Sequence, residues 1–451
     1  MSTSQHPKIA ASRITLEAGA RSVMTAAVIL ILFGAIGWVV AQMTTPHAVD
    51  APTHTTDGHS AAGHETTAAT HGAGGTAADD HHHSVGHIAH ESAWQHSYLL
   101  NLCFFLSLSL GALFFLLIQH LTKAGWSVAV RRIAECIAMN IVVVALLFIP
   151  VLLPSNIHEL YQWSHTAEVR AANDQLILLK ASYLNYEFFL TRSLIFFGIW
   201  IALAYYFRAQ SVRQDATGDQ RHTLNMQRVA PIGMMLFALS ITFAAFDYLM
   251  SLDAHWFSTI FGVYYLAGSF MSFMGLLAIT LYLLQKSGYL KESVTREHYH
   301  DVGKLMFAFV VFWTYVAFSQ YMLIWYGNMP EETGWYLRRQ AAGSGWMSAS
   351  LAFFAVHFFV PFFFLLSRHI KRNKNALVLG AGWVIAVHWC DMYYLIMPQV
   401  RSTPAPKLLD FSILLLMAGI YCVGLGFWLK RSNLVAVRDP RLAESLAFEN
   451  Y

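Results

Sequence analysis

The chain has 451 residues, of which 56% are hydrophobic and only 12% charged, and its mean hydropathy is +0.45. A soluble domain carries about 25% charged residues, and a soluble fold of this size has no way to hide so much apolar surface. The net charge of +3 excludes the footprint of a nucleic-acid binder, and four cysteines without C-x-x-C or C-x-x-C-H spacing exclude covalent c-type haem and argue against an iron–sulfur cluster on this chain.

The composition predicts an all-α integral membrane protein. A helix needs about 20 apolar residues to cross the hydrocarbon core, and ten segments qualify: 22–43, 97–121, 132–153, 187–209, 229–250, 258–285, 304–327, 346–368, 376–397 and 409–430. They are too long and too continuously apolar for strands of a barrel. Lys and Arg orient them. With the N-terminus inside, 22 of the 29 basic residues flank the inner side and 6 the outer, so residues 1–21 and the tail 431–451 are expected to be cytoplasmic.

In chain order, span 22–43 exceeds a signal h-region and reads as a retained anchor. The outer loop 44–96 holds eleven of the 22 histidines and no Lys or Arg. Its small, polar composition predicts disorder. Metal capture is the functional reading, with His81, His82 and His83 the densest group, and a solvated linker is the plain one. Next, His120 closes span 97–121, and Arg131 stands four residues before Glu135. These three mark either an ion pair at the lipid headgroups or the mouth of an inner proton path.

An ionisable group inside the hydrocarbon is a functional hypothesis by default. Arg192 lies in span 187–209, and Asp247 in the last turn of 229–250, before a short outer turn with Asp253 and His255. Arg192 can snorkel or pair with Asp247 or Asp391, and Asp247 can also be solvated at the interface. Gln320 lies in the outer half of 304–327. His357 sits roughly 16 Å, and His388 roughly 13 Å, from the outer end by helical rise. Asp391 follows His388 on the same face and can hold its tautomer, a pairing suited to a proton relay or a quinone carbonyl. Pro361, one turn after His357, can free backbone carbonyls. The two histidines also have the depth match of a single bis-imidazole haem.

The stretch F-D-Y-L-M-S-L-D-A-H-W-F-S-T-I-F-G-V-Y at 246–264 resembles the signature of the two NrfD-like membrane subunits of bacterial alternative complex III, a quinol:cytochrome c oxidoreductase. H-S-Y-L-L-N at 96–101, I-Q-H-L-T-K-A-G-W-S-V-A-V-R-R-I-A-E at 118–135 and H-F-F-V-P-F-F-F-L-L-S-R at 357–368 are similar too. The likeness covers 97–430 and is closer to the second, F-type subunit. The insert at 44–96 departs from the family's pattern.

The resemblance implies an NrfD-like core of two four-helix bundles plus two peripheral helices in the bacterial cytoplasmic membrane. It implies as partners an Fe–S and molybdopterin-family-like peripheral subunit, a C-type NrfD-like subunit, multihaem and monohaem cytochrome c subunits, and lipids, with a terminal oxidase a further candidate. Fe–S clusters and haem c are then expected on those partners, and quinol or quinone as the ligand here. His388, Asp391 and Asp247 are the expected proton acceptors, with His120, Arg131 and Glu135 an inner half-channel. Two other readings stand beside this one. One is a non-catalytic scaffold for the Fe–S and cytochrome subunits; the other is a secondary transporter, for which no pair of matching broken spans is visible.

Overall fold

The computed structural model describes residues 15, 21–44 and 94–449. The described residues are helical, with no strand among them, and ten helices are long and apolar enough to cross a membrane. In lipid a backbone must satisfy its own hydrogen bonds, which is why apolar runs of this length become helices. The chain is therefore a multi-pass membrane protein.

The ten helices are α1 (Arg21–Thr44), α2 (Trp94–Leu121), α3 (Val128–Leu152), α4 (Tyr186–Thr217), α5 (Arg221–Tyr248), α6 (Phe261–Lys286), α7 (Arg296–Gly327), α8 (Trp346–Leu366), α9 (Lys374–Ile396) and α10 (Leu408–Lys430). Some run beyond their expected edges. α4 continues to Thr217, where Gly218 stops it in a left-handed conformation at φ 72°. α7 starts at Arg296 because Thr295 and His298 form a capping box there. Polar residues past the membrane edge prolong a helix as long as no cap intervenes, which hydropathy alone does not register.

α2 and α6 are the central helices. α2 is apolar on every face and buried along nearly its whole length, as such a helix must be. Its few polar side chains are ties to neighbours: Ser97 Oγ donates to Asp410 Oδ1 at 2.6 Å, Ser109 bonds the Tyr421 hydroxyl at 2.8 Å, and Trp389 Nε1 donates to Asn101 Oδ1 at 2.9 Å. α2 packs on α3, α5, α6, α9 and α10, α3 on α4, and α4 on α5. α6 packs on α5, α7 and α9, α8 lies against α7 and α9, and α1 lies along α10.

The connections gather at two ends. The Trp94 end carries 154–185, 250–260, 330–345 and 397–407; the Leu121 end carries 122–127, 218–220, 287–295, 367–373 and 431–449. One boundary differs from the sequence reading: His96 is not in the loop but in the first turn of α2, buried. The tail starts after Lys430, as expected, and packs on the helices. Leu434, Val435 and Ala436 are buried, and Ser445 donates to the Trp126 carbonyl at 2.6 Å.

Candidate functional site

In the half of the bundle toward the Trp94 end, α6, α8 and α9 bring four aromatic or ionisable side chains around Trp313 of α7. Asp391 on α9 is fully buried and accepts from two donors, the Tyr264 hydroxyl of α6 and the Trp313 indole of α7, the latter at 3.2 Å. His388, one turn along α9, makes a 2.8 Å bond from Nε2 to Ser107 Oγ of α2. The Ser107 hydroxyl spends its single proton on the Phe104 carbonyl at 2.6 Å. It therefore accepts from His388, which assigns the proton to Nε2.

That leaves Nδ1 of His388 as a bare lone pair, 3.8 Å from Asp391 Oδ2. Two acceptors facing each other in a buried site repel, even though Oδ2 also takes the Trp313 N–H. One proton between them turns the repulsion into attraction, so Asp391 and His388 form a natural seat for a single proton. The expected direct His388–Asp391 hydrogen bond is thus corrected: the two are neighbours, but tyrosine and indole hold Asp391, and a serine holds His388. Gly268 permits this closeness, since a Cβ there would lie 2.8 Å from His388 Cε1.

His357 stacks on the Trp313 ring at 3.6 Å, fully buried, with no hydrogen-bond partner at either nitrogen among the described residues. The five residues Ala355–Phe359 around it form a turn of π-helix. Pro361 has no N–H to give the carbonyl of residue 357, four positions back. The wider turn answers that break, and Trp383 Nε1 of α9 donates to the neighbouring Val356 carbonyl at 2.9 Å. Such π-turns concentrate at functional sites. The bis-histidine haem alternative does not fit: the buried Trp313 covers His357, and Ser107 occupies Nε2 of His388.

The other outer-half residues do not join this cluster. Arg192 forks onto Asp247, with Nε to Oδ2 at 2.6 Å and an Nη to Oδ1 at 3.1 Å. It also donates to the Tyr183 carbonyl and lies 3.8 Å over the Tyr183 ring. Asp247 is fully buried, which rules out interfacial solvation. The pair clamps α4 to α5. Gln320 accepts from Ser258 Oγ at 3.0 Å and donates to the Tyr336 hydroxyl at 3.2 Å. Asp253 pairs with Arg338 at 3.1 Å, and His255 Nε2 contacts Asp174 at 2.6 Å. These three tie the 250–260 turn to helices Pro330–Arg338 and Gln175–Lys180. Nearby, Arg339 is buried without a carboxylate, held by the carbonyls of Trp335, Tyr394 and Leu395 and by the Trp335 ring at 3.3 Å. Burial pulls it down to about 9, so it stays charged at neutral pH.

The Leu121 end holds a buried charge network, not a headgroup ion pair. Arg131 does not meet Glu135. It pairs with Asp439 of the tail, while Arg132 takes Glu135 at 3.0 Å and Asp215 at 2.9 Å. The i,i+4 spacing pointed at the wrong arginine because Arg131 turns toward the tail, which covers it. Arg208 donates to the Trp428 carbonyl at 2.8 Å, and His120 stacks on Phe207 at 5.1 Å with Nε2 unpartnered. Sequence reasoning missed Tyr264, Trp313 and Ser107, whose types are common in membrane helices and carry no signal alone. It also missed Asp215 and Asp439, which looked like surface charges. Among the described residues no three His, Cys, Asp or Glu side chains gather as metal ligands, and His81, His82 and His83 lie outside those residues. No family model and no curated protein matches the chain.

Proposed function

We propose that the chain is a proton-handling membrane subunit of a quinol-oxidising respiratory assembly, of the NrfD-like, F-type kind found in alternative complex III. The observation that carries this is the Asp391–His388 proton seat with Tyr264, Trp313 and His357 around it, deep in the membrane and without a permanently charged partner. The motif resemblance at 246–264 supports the same reading. The packing of α2 on α3 and α5, of α6 on α7 and α9, and of α1 along α10 is compatible with the expected two bundles and two peripheral helices.

In this reading the membrane is the bacterial cytoplasmic one, the Trp94 end is outer, and both termini are cytoplasmic, as the basic residues suggest. Oxidation of one quinol yields quinone, two electrons and two protons. The electrons pass to Fe–S clusters and haem c on partner subunits. The cluster's own part is to take a proton on Asp391 or His388 and pass it on. The close packing around Trp313 favours proton transfer there over a bound quinone ring, which suits a chain working beside a quinol-oxidising C-type relative. The buried network of His120, Arg132 and Glu135 is the inner terminus of such a path.

The test has two stages. The assembly is isolated from native membranes through this chain, its subunits are identified by mass spectrometry, and a reduced-minus-oxidised spectrum is taken. Copurifying Fe–S and c-type cytochrome subunits are expected; a lone chain without haem bands overturns the reading. Asp391→Asn then keeps the shape, with the amide oxygen accepting from Trp313 and the amide NH2 donating to the Tyr264 hydroxyl, but removes the proton site. Turnover, with quinol as donor and cytochrome c as acceptor, is expected to fall at least tenfold in an intact assembly. The compensated clamps at the Trp94 end favour a second reading, a scaffold for the partner subunits, and unchanged turnover in Asp391→Asn decides for it.

A further inference from the structure

At the Leu121 end, between α6, α7 and the start of α9, lies a cavity of about 880 Å³, within the roughly 300–1,000 Å³ range of small-molecule sites. Its lining carries five cations, Lys291, Arg296, Arg368, Arg372 and Lys374, and no carboxylate. Glu297, in the first turn of α7, is taken by Arg372. Lys291, Arg296 and Lys374 form no ion pair among the described residues. Two long helices, α7 and α9, point their N-termini at the space, with Thr295 and Asn373 as caps in its wall. Their dipoles add positive potential to that of the side chains. The three cations without an ion pair, together with the two helix ends, favour an anion with several oxygens.

We propose that this cavity binds the phosphate of an anionic phospholipid headgroup. The choice of lipid over free phosphate follows from depth. Two of the walls are membrane-edge turns of spanning helices, since Gln285 ends α6 and Lys374 opens α9, while the polar first turns of α7 rise past the edge beside them. A site at that level meets headgroups before it meets the aqueous phase. Apolar side chains that meet lipid stand on the helices next to the cavity, Leu283 on α6 and Leu366 at the end of α8, each more than half exposed. Basic pockets between spanning helices on the positive side of a membrane suit anionic lipids on general electrostatic grounds. The site is far from the Asp391 cluster in the fold and does not rest on the proposed reaction.

The experiment titrates the delipidated full-length protein in detergent with phosphatidylglycerol and, separately, with phosphatidylcholine, and reads bound lipid by native mass spectrometry. Phosphatidylglycerol is expected to bind and phosphatidylcholine to bind much more weakly. Lys291→Gln with Arg296→Gln and Lys374→Gln should weaken phosphatidylglycerol about a hundredfold, on roughly fivefold per neutralised cation. The control triple Arg213→Gln, Arg221→Gln and Arg228→Gln, exposed at the same end, should leave it unchanged. Lys374→Gln alone, which touches no ion pair, should cost about fivefold and stands in if the triple variant misfolds. Equal binding of the two lipids, or equal loss in the two triples, overturns the proposal. Binding of inorganic phosphate with no binding of phosphatidylglycerol overturns it in favour of a soluble anion.

Discussion

Asp247 and Arg192 carry opposite charges into the interior and cancel them there. Removing one partner leaves the other as an uncompensated buried charge, which costs about 3–5 kcal/mol in protein interiors, whereas replacing both by apolar groups is far milder. Arg192→Met and Asp247→Leu should therefore each lower the thermal midpoint of the detergent-purified protein, and the double variant should recover most of the loss. Additive losses in that cycle would refute the clamp. Asp391 differs because its partners, Tyr264 and Trp313, are neutral, which leaves it free to carry a proton. The acids of both sites were legible, since any acid in a hydrocarbon span stands out, whereas Tyr264, Trp313 and Ser107 were not. Which acid was clamped was not, because that depends on which helices touch.

Helices in lipid gain little from apolar contact and associate where small residues let backbones approach. α1 and α10 meet this way. A Cβ on Gly34 would lie 2.3 Å from the Leu416 backbone nitrogen, and one on Gly419 2.7 Å from the Ala27 carbonyl. Gly34→Leu should detach α1 from α10, read as loss of a disulfide crosslink between cysteines placed at positions 30 and 420, while the remaining helices keep their melting behaviour. An undisturbed crosslink would sink this. The element boundaries were readable within a few residues wherever hydropathy changes sharply. They failed at the long polar ends of α4 and α7, where caps at Gly218 and Thr295 set the limit. The π-turn in α8 had one visible cause, Pro361, but its form is a response to neighbours such as Trp383.

Across the whole molecule, the tail after α10 closes the Leu121 end. It brings Asp439 to Arg131, and it buries Leu434 and Val435. Truncation after residue 430 should leave Arg131 unpaired and uncover it with the apolar start of α3, so the purified protein should lose monodispersity and melt earlier. Asp439→Asn alone should reproduce a smaller part of that loss in the same thermal scan. A truncated chain with wild-type melting would show the tail to be dispensable.

The number of membrane helices, their lengths and the presence of buried ionisable groups were determined by the sequence itself. Each follows from local composition measured against the thickness and polarity of a bilayer. Partnerships were decided only by tertiary structure: Arg131 with Asp439, Arg132 with Glu135, Asp391 with Tyr264 and Trp313, and His357 laid on Trp313. In lipid the outward faces of helices are nearly equivalent to one another, so hydropathy carries no record of neighbours. Close approach, a missing N–H and the need to compensate each buried charge select them instead.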